Sequence, residues 1–179
     1  MKKFLLLMLP VMALCLASCE RWMDDSPIIQ FKDPYFLEAA LNGGCDGDGY
    51  STGETKVDKN GDGQISEKEA SVVKGLYLSL GERIRNLDEI KYFTALTYLD
   101  CGSNQLTSLD LSNNTALTNL YCGSNQLTSL DLSNNTALTN LYCSNNPLQK
   151  LILYKYHLVE YDMMSDIELE YGDIIEYVD

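Results

Sequence analysis

Between residues 96 and 137 the apolar positions fall in one frame twice over. LTYLDCGSNQLTSLDLSNNTA (96–116) is followed directly by LTNLYCGSNQLTSLDLSNNTA (117–137), and the copies differ only at Tyr98/Asn119 and Asp100/Tyr121. A third, decaying copy, LTNLYCSNNPLQKLILYKYH, begins at Leu138. Within a copy, Leu96, Leu99, Cys101, Asn104 and Leu106 set out the frame, and Leu106, Leu109, Leu111, Asn114 and Leu117 repeat it half a turn later. Each 21-residue coil should therefore carry two short alternating stretches, 98–101 and 108–111. Period-two alternation turns Leu99 and Cys101 inward and Tyr98 and Asp100 outward. A period this short is the mark of a solenoid, in which a single coil cannot bury its apolar face alone and stacked neighbours share one core.

The polar positions in the frame have structural work to do. Asn104, Asn125 and Asn146 recur every 21 residues, as do Asn114 and Asn135. A short amide can satisfy backbone groups of its own coil and of the next. Cys101, Cys122 and Cys143 take the place of a leucine and read as small buried hydrophobes rather than as disulfides, since parallel side chains on stacked strands meet poorly for a bridge.

These repeats resemble the nested leucine-rich repeats of bacterial cell-surface and internalin-like proteins. The resemblance covers about half the chain. It implies an α/β-type solenoid: a short leucine-rich-repeat stack with parallel strands, preceded by a small helical cap. For function it implies only a surface that binds something, because one fold serves many partners.

Upstream, the pattern changes character. Residues 1–18 start with Lys2 and Lys3 and continue as an apolar run too short to span a membrane stably. The run ends Leu16-Ala17-Ser18-Cys19, which resembles the bacterial lipobox and implies a lipidated Cys19 after cleavage; an ordinary signal peptide cut near Ser18 is the plainer alternative. Residues 19–33 read as a tether, whose Glu20, Asp24 and Asp25 faintly resemble the acidic signal of outward-facing lipoproteins. Asp33-Pro34 then opens a helix that Asn42-Gly43-Gly44 closes. Cys45 lies in the Gly- and Asp-rich loop that follows.

One stretch carries metal chemistry. In VDKNGDGQISEKEA (57–70), Asp58, Asn60, Asp62, Gly63, Ile65 and Glu69 occupy positions 1, 3, 5, 6, 8 and 12 of an EF-hand loop. Calcium takes six to eight hard oxygens. Asp58, Asn60 and Asp62 would give side-chain oxygens, Gln64 a carbonyl, Ser66 a direct or water-mediated contact and Glu69 two oxygens. Ser66 and Glu69 also spell a capping box, so Glu69 has a second use at the start of the next helix. We divide the chain into a leader (1–18), tether (19–33), EF-hand-like calcium-binding cap (34–73) and solenoid with a C-terminal cap (74–179).

Composition narrows the function classes. The net charge is −13, and loss of Lys2 and Lys3 with the leader makes it −15. So acidic a body is a poor match for nucleic acid. The single histidine, His157, stands in the cap region without a nucleophile arrangement, and no phosphate loop or HExxH is present. Asp110 and Asp131 recur by coil and read as structural. The expectation is a non-enzymatic, lipid-anchored outer-membrane binding module, facing the cell surface and stabilised by calcium. Tyr98, Asp100, Asn119, Tyr121, Asn140 and Tyr142 would form its Tyr/Asn face toward a protein or glycan. The alternative is a structural or adaptor lipoprotein docked on another envelope component. The aromatics Tyr154, Tyr156, Tyr161, Tyr171 and Tyr177 read as an end cap or as a sticky edge.

Overall fold

The computed structural model describes residues 24–42, 44–45, 56–79, 83–155 and 172–179. The repeats form a stack of short strands with their leucines inside. Strands β2 (Gly75–Tyr77), β3 (Tyr98–Asp100), β4 (Asn119–Tyr121) and β6 (Asn140–Tyr142) pair in parallel, one per coil. The register places Leu76, Leu99, Leu120 and Leu141 in one column. All four are buried, as are Cys101, Cys122 and Cys143 beside them. The alternation read from the sequence therefore has the expected sense.

The second stretch of each coil is less regular than expected. Strands β5 (Ser129–Asp131), β7 (Lys150–Tyr154) and β8 (Ile175–Val178) form a separate parallel sheet. Residues 108–110 hold no strand, although Leu109 and Leu111 are buried in their columns. The preceding coil carries a five-residue 3-10 helix there, Asp88–Tyr92, whose internally directed hydrogen bonds offer no ladder to extend. The repeats thus make a β-solenoid rather than an α/β one. Among the described residues its α-helices lie only in the N-terminal cap.

Asparagine side chains hold the coils at their turns. Asn125 accepts the Leu106 N–H at 3.0 Å and donates to Cys101 and Cys122 carbonyls at 3.0 Å each. Asn104 and Asn146 repeat the arrangement, accepting from Ile84 and Leu127. Two residues after Cys101, Cys122 and Cys143 the backbone crosses into the left-handed region at Ser103, Ser124 and Asn145, with φ of 52°, 55° and 57°. Asparagine tolerates that region better than most side chains.

At the N-terminal end, helix α1 (Pro34–Asn42) buries Phe36, Ala39 and Ala40. Phe36 meets Phe31 edge-on at 5.0 Å and Phe93 at 6.1 Å, closing the end of the core. Asp33 caps α1 through the Tyr35 N–H and, with its other oxygen, takes the N–H groups of Arg85 and Asn86. One buried carboxylate thereby staples the cap to the first coil. Residues 44–45 were expected as loop; they form strand β1 (Gly44–Cys45), antiparallel to β2 at the sheet edge.

The expected tether is also different. From Asp24 onward it packs on the cap: Ile29 is buried, its N–H donates to the Ile65 carbonyl, and Glu67 N–H donates to the Pro27 carbonyl. An unpaired loop edge at Ile65 and Ser66 would leave polar backbone half-buried, and this segment satisfies it. No helix among the described residues is long and apolar enough to cross a membrane. Cys19, expected from the lipobox to be lipidated, and His157 lie outside the described residues, as do Tyr156, Tyr161 and Tyr171.

Candidate functional site

Two places answer to the residues singled out in the sequence. The first is the outer surface of the main sheet. Its register sets Tyr77, Asp100, Tyr121 and Tyr142 side by side in one row, and Tyr98, Asn119 and Asn140 in the next. All six expected face residues therefore share one surface. Tyr77 joins them and was not foreseen. The first coil is longer than the others, 23 residues from Val73 to Leu96, and its irregular spacing hid that position.

The rows are packed, not merely parallel. The rings of Tyr98 and Tyr121 lie 5.6 Å apart, tilted by 40°. Tyr142 is 50% exposed, and its ring covers Gly123: a Cβ there would come within 2.8 Å of the ring. One coil earlier, a Cβ on Gly102 would stand 3.3 Å from an Asp100 oxygen. Glycine at this place in the repeat lets the outward side chains lie down against the strands. Asp100 accepts the Gly102 N–H at 3.0 Å. Burial nonetheless raises its carboxyl above the ordinary value, with the Gly102 bond opposing.

The second place is the loop 58–69. Gly61 and Gly63 both take φ +78°, which side chains rarely adopt. Asp58 accepts from the N–H of Gly61 and Gly63, at 2.7 and 2.9 Å. Asn60 accepts from Asp62, and Asp62 from Gln64, at 2.9 and 2.8 Å. The backbone is thus wound tightly around inward oxygens, each with a lone pair to spare.

Glu69 is used otherwise. Helix α2 (Glu67–Ser71) starts with Ser66 as cap and carries the full capping box. One Glu69 oxygen takes the N–H of Lys59 and Asn60, at 2.8 and 3.3 Å; the other takes Ser66 N–H at 3.0 Å. Ser66 Oγ lies within reach of both Glu69, at 2.9 Å, and Asp24, but has one proton to give. Hydrogen bonds from Ser26 and Ser66 hold the Asp24 carboxyl down at about 2. Among the described residues no three acidic, histidine or cysteine side chains gather closely enough to hold a metal ion. The donor chemistry suits calcium; the arrangement, with Glu69 spent on backbone, suits a closed turn. Bidentate coordination would require Glu69 to exchange its bonds to Lys59 and Asn60 for the ion.

Comparison with known proteins agrees with the repeat architecture. No family model and no curated protein matches the chain. Solved structures do match, 32 chains in all. The functional domain of InlJ from Listeria monocytogenes, described as including a cysteine ladder, is 30% identical over 83% of this chain, with a TM-score of 0.50. An internalin, InlF, from the same species is 26% identical over 68%, also with a TM-score of 0.50. The chain spans only 26% and 36% of those two chains. Its fold is an internalin-like leucine-rich-repeat solenoid. In this chain Cys101, Cys122 and Cys143 are buried in successive coils and share no disulfide.

Proposed function

We propose that this chain is a lipid-anchored, non-enzymatic binding module of the bacterial envelope that grips a protein partner with the face of its main sheet. The row Tyr77, Asp100, Tyr121, Tyr142 carries the reading. Tyrosines held against a rigid sheet present apolar area and a hydroxyl at little entropic cost, as interface residues do. Tyr77 and Tyr142 remain 42% and 50% exposed, which is large apolar area left in water.

Anchoring rests on the Leu16–Cys19 box, and an outward-facing outer-membrane position on the same box with the acidic residues after it. Calcium rests on the donor set Asp58, Asn60, Asp62, Gln64, Ser66 and Glu69, with the ion securing the loop that leads through α2 into the first coil.

Binding of the labelled chain to cells tests the central claim. The expectation is saturable binding that disappears after trypsin treatment of the target surface and survives glycosidase treatment. Tyr121→Ala with Tyr142→Ala should weaken it by roughly tenfold or more, as loss of paired aromatic anchors does. Full binding by that double variant would remove the sheet face from consideration. Protease shaving of intact cells settles the side of the membrane.

A further inference from the structure

In a chain of net charge −13, a concentration of cations is out of character. One lies where α1 meets the first coil. A groove of about 490 Å³ is lined there by Lys32, Arg83 and Arg85, together with Tyr35, Asn86 and Gln105. Its volume falls within the ~300–1,000 Å³ typical of small-ligand sites. Among the described residues the one acid in its wall, Asp33, has both oxygens committed to the N–H groups of Tyr35, Arg85 and Asn86. Glu38 belongs to a neighbouring pit of about 80 Å³, too small for more than water.

The three cations are held in place but not used up. Arg83 lies over the Tyr35 ring at 5.5 Å. Arg85 gives its Nε–H to Gln105 at 3.1 Å, which orients the guanidinium and leaves its terminal N–H groups. Lys32 pairs with Asp88 at 2.5 Å, with side chains 66% and 45% exposed. An exposed pair of that kind contributes little and exchanges readily for another anion.

We propose that this groove binds an anionic saccharide, a sugar bearing carboxylate or sulfate groups. Guanidinium forks match carboxylate and sulfate oxygens in pairs. The Tyr35 ring, 43% exposed even with Arg83 over it, offers apolar surface for the C–H face of a sugar, and the side-chain N–H groups of Asn86 offer a donor to a hydroxyl. An acidic peptide would use the cations but has less need of that ring and that amide. The groove shares no lining residue with the Tyr/Asn rows of the sheet face.

Titration calorimetry of the full chain tests this with four probes: polygalacturonate fragments for carboxylate, heparin fragments for sulfate, neutral dextran, and poly-glutamate. Binding of either anionic sugar in preference to dextran and poly-glutamate is expected, and which one binds names the anionic group. Arg83→Ala with Arg85→Ala should weaken it roughly tenfold or more, the scale of losing charge-assisted bonds. Raising salt from about 0.1 to about 0.5 M should weaken it too, by screening. Arg85→Ala keeps the backbone N–H that Asp33 needs. Should the double variant melt early, Lys32→Ala, which alters only an exposed pair, is expected to weaken binding by itself. Tyr142→Ala should leave binding unchanged. Failure of both anionic sugars to bind, equal binding of dextran, tighter binding of poly-glutamate, or loss of binding in Tyr142→Ala would each overturn the proposal.

Discussion

Asn125 reaches back one coil to accept the N–H of Leu106 at 3.0 Å, while its amide donates to the carbonyls of Cys101 and Cys122. The side chain is 7% exposed, so no water stands ready to replace it. Asn125→Ala would orphan a buried donor and relieve no strain. Each unsatisfied buried backbone group costs about 1–3 kcal/mol, and we expect a total loss of about 3–5 kcal/mol in denaturant unfolding. Asn125→Asp keeps the acceptor but turns an oxygen toward two carbonyls, so it should rescue little. A change under about 1 kcal/mol for the alanine variant would mean the coils are not joined through these amides.

Asp100 makes a prediction about pH. Burial raises its carboxyl in the folded chain above the ordinary 3.8. The unfolded chain then ionises first, so the stabilisation is complete below about pH 4 and is lost as pH rises through the folded value. Asp100→Asn keeps an acceptor for the Gly102 N–H and removes the buried charge. It should melt higher than the parent at neutral pH and level with it below about pH 4. A melting curve for the variant that is lower at pH 7 would show that the charge is held by something favourable.

The cysteine column should be chemically silent. Burial, then the neighbouring Cys101 and Cys143 thiols, holds Cys122 well above its ordinary 9.0, and burial does the same to Cys101. The thiolate is the reactive form. Alkylation of Cys101, Cys122 and Cys143 in the native chain should therefore run only through unfolding, and go to completion in denaturant. Mass spectrometry that finds rapid native labelling, or a disulfide between any two of them, would contradict the packing.

Calcium separates two uses of one loop. If the ion binds, ten times its dissociation constant should add about 1.4 kcal/mol, from RT ln(1 + [L]/Kd). Millimolar calcium should then raise the melting temperature by a few degrees, magnesium by much less. Asp62→Ala touches no part of the capping box formed by Ser66 and Glu69, so it should abolish the rise while leaving the helix start intact. No heat of binding in the parent, or undiminished binding by Asp62→Ala, would leave the loop as a turn and a cap.

The sequence determined the solenoid because its information is periodic. Leucines 21 residues apart can be buried together only by stacking, and Leu99, Leu120 and Leu141 occupy one column in register. The same period places Tyr98, Asp100, Asn119, Tyr121, Asn140 and Tyr142 on one outward face. Helix α1 was legible from local chemistry, with Asp33 before Pro34 and glycine after Asn42. What the period could not carry was everything that happens once. Tyr77 joins the face only because a longer first coil returns to register. Residues 24–33 dock because Ile65 and Ser66 present an edge that needs a partner. Glu69 could serve a cation or a helix start, since the twelfth place of the loop is also the third after the Ser66 cap; the folded chain gives its oxygens to Lys59, Asn60 and Ser66. Lys32, Arg83 and Arg85 come together through contacts across some fifty residues, Asp33 to Arg85 among them. Repetition writes a fold into local sequence, whereas a meeting of distant, unrepeated residues is settled only by tertiary packing.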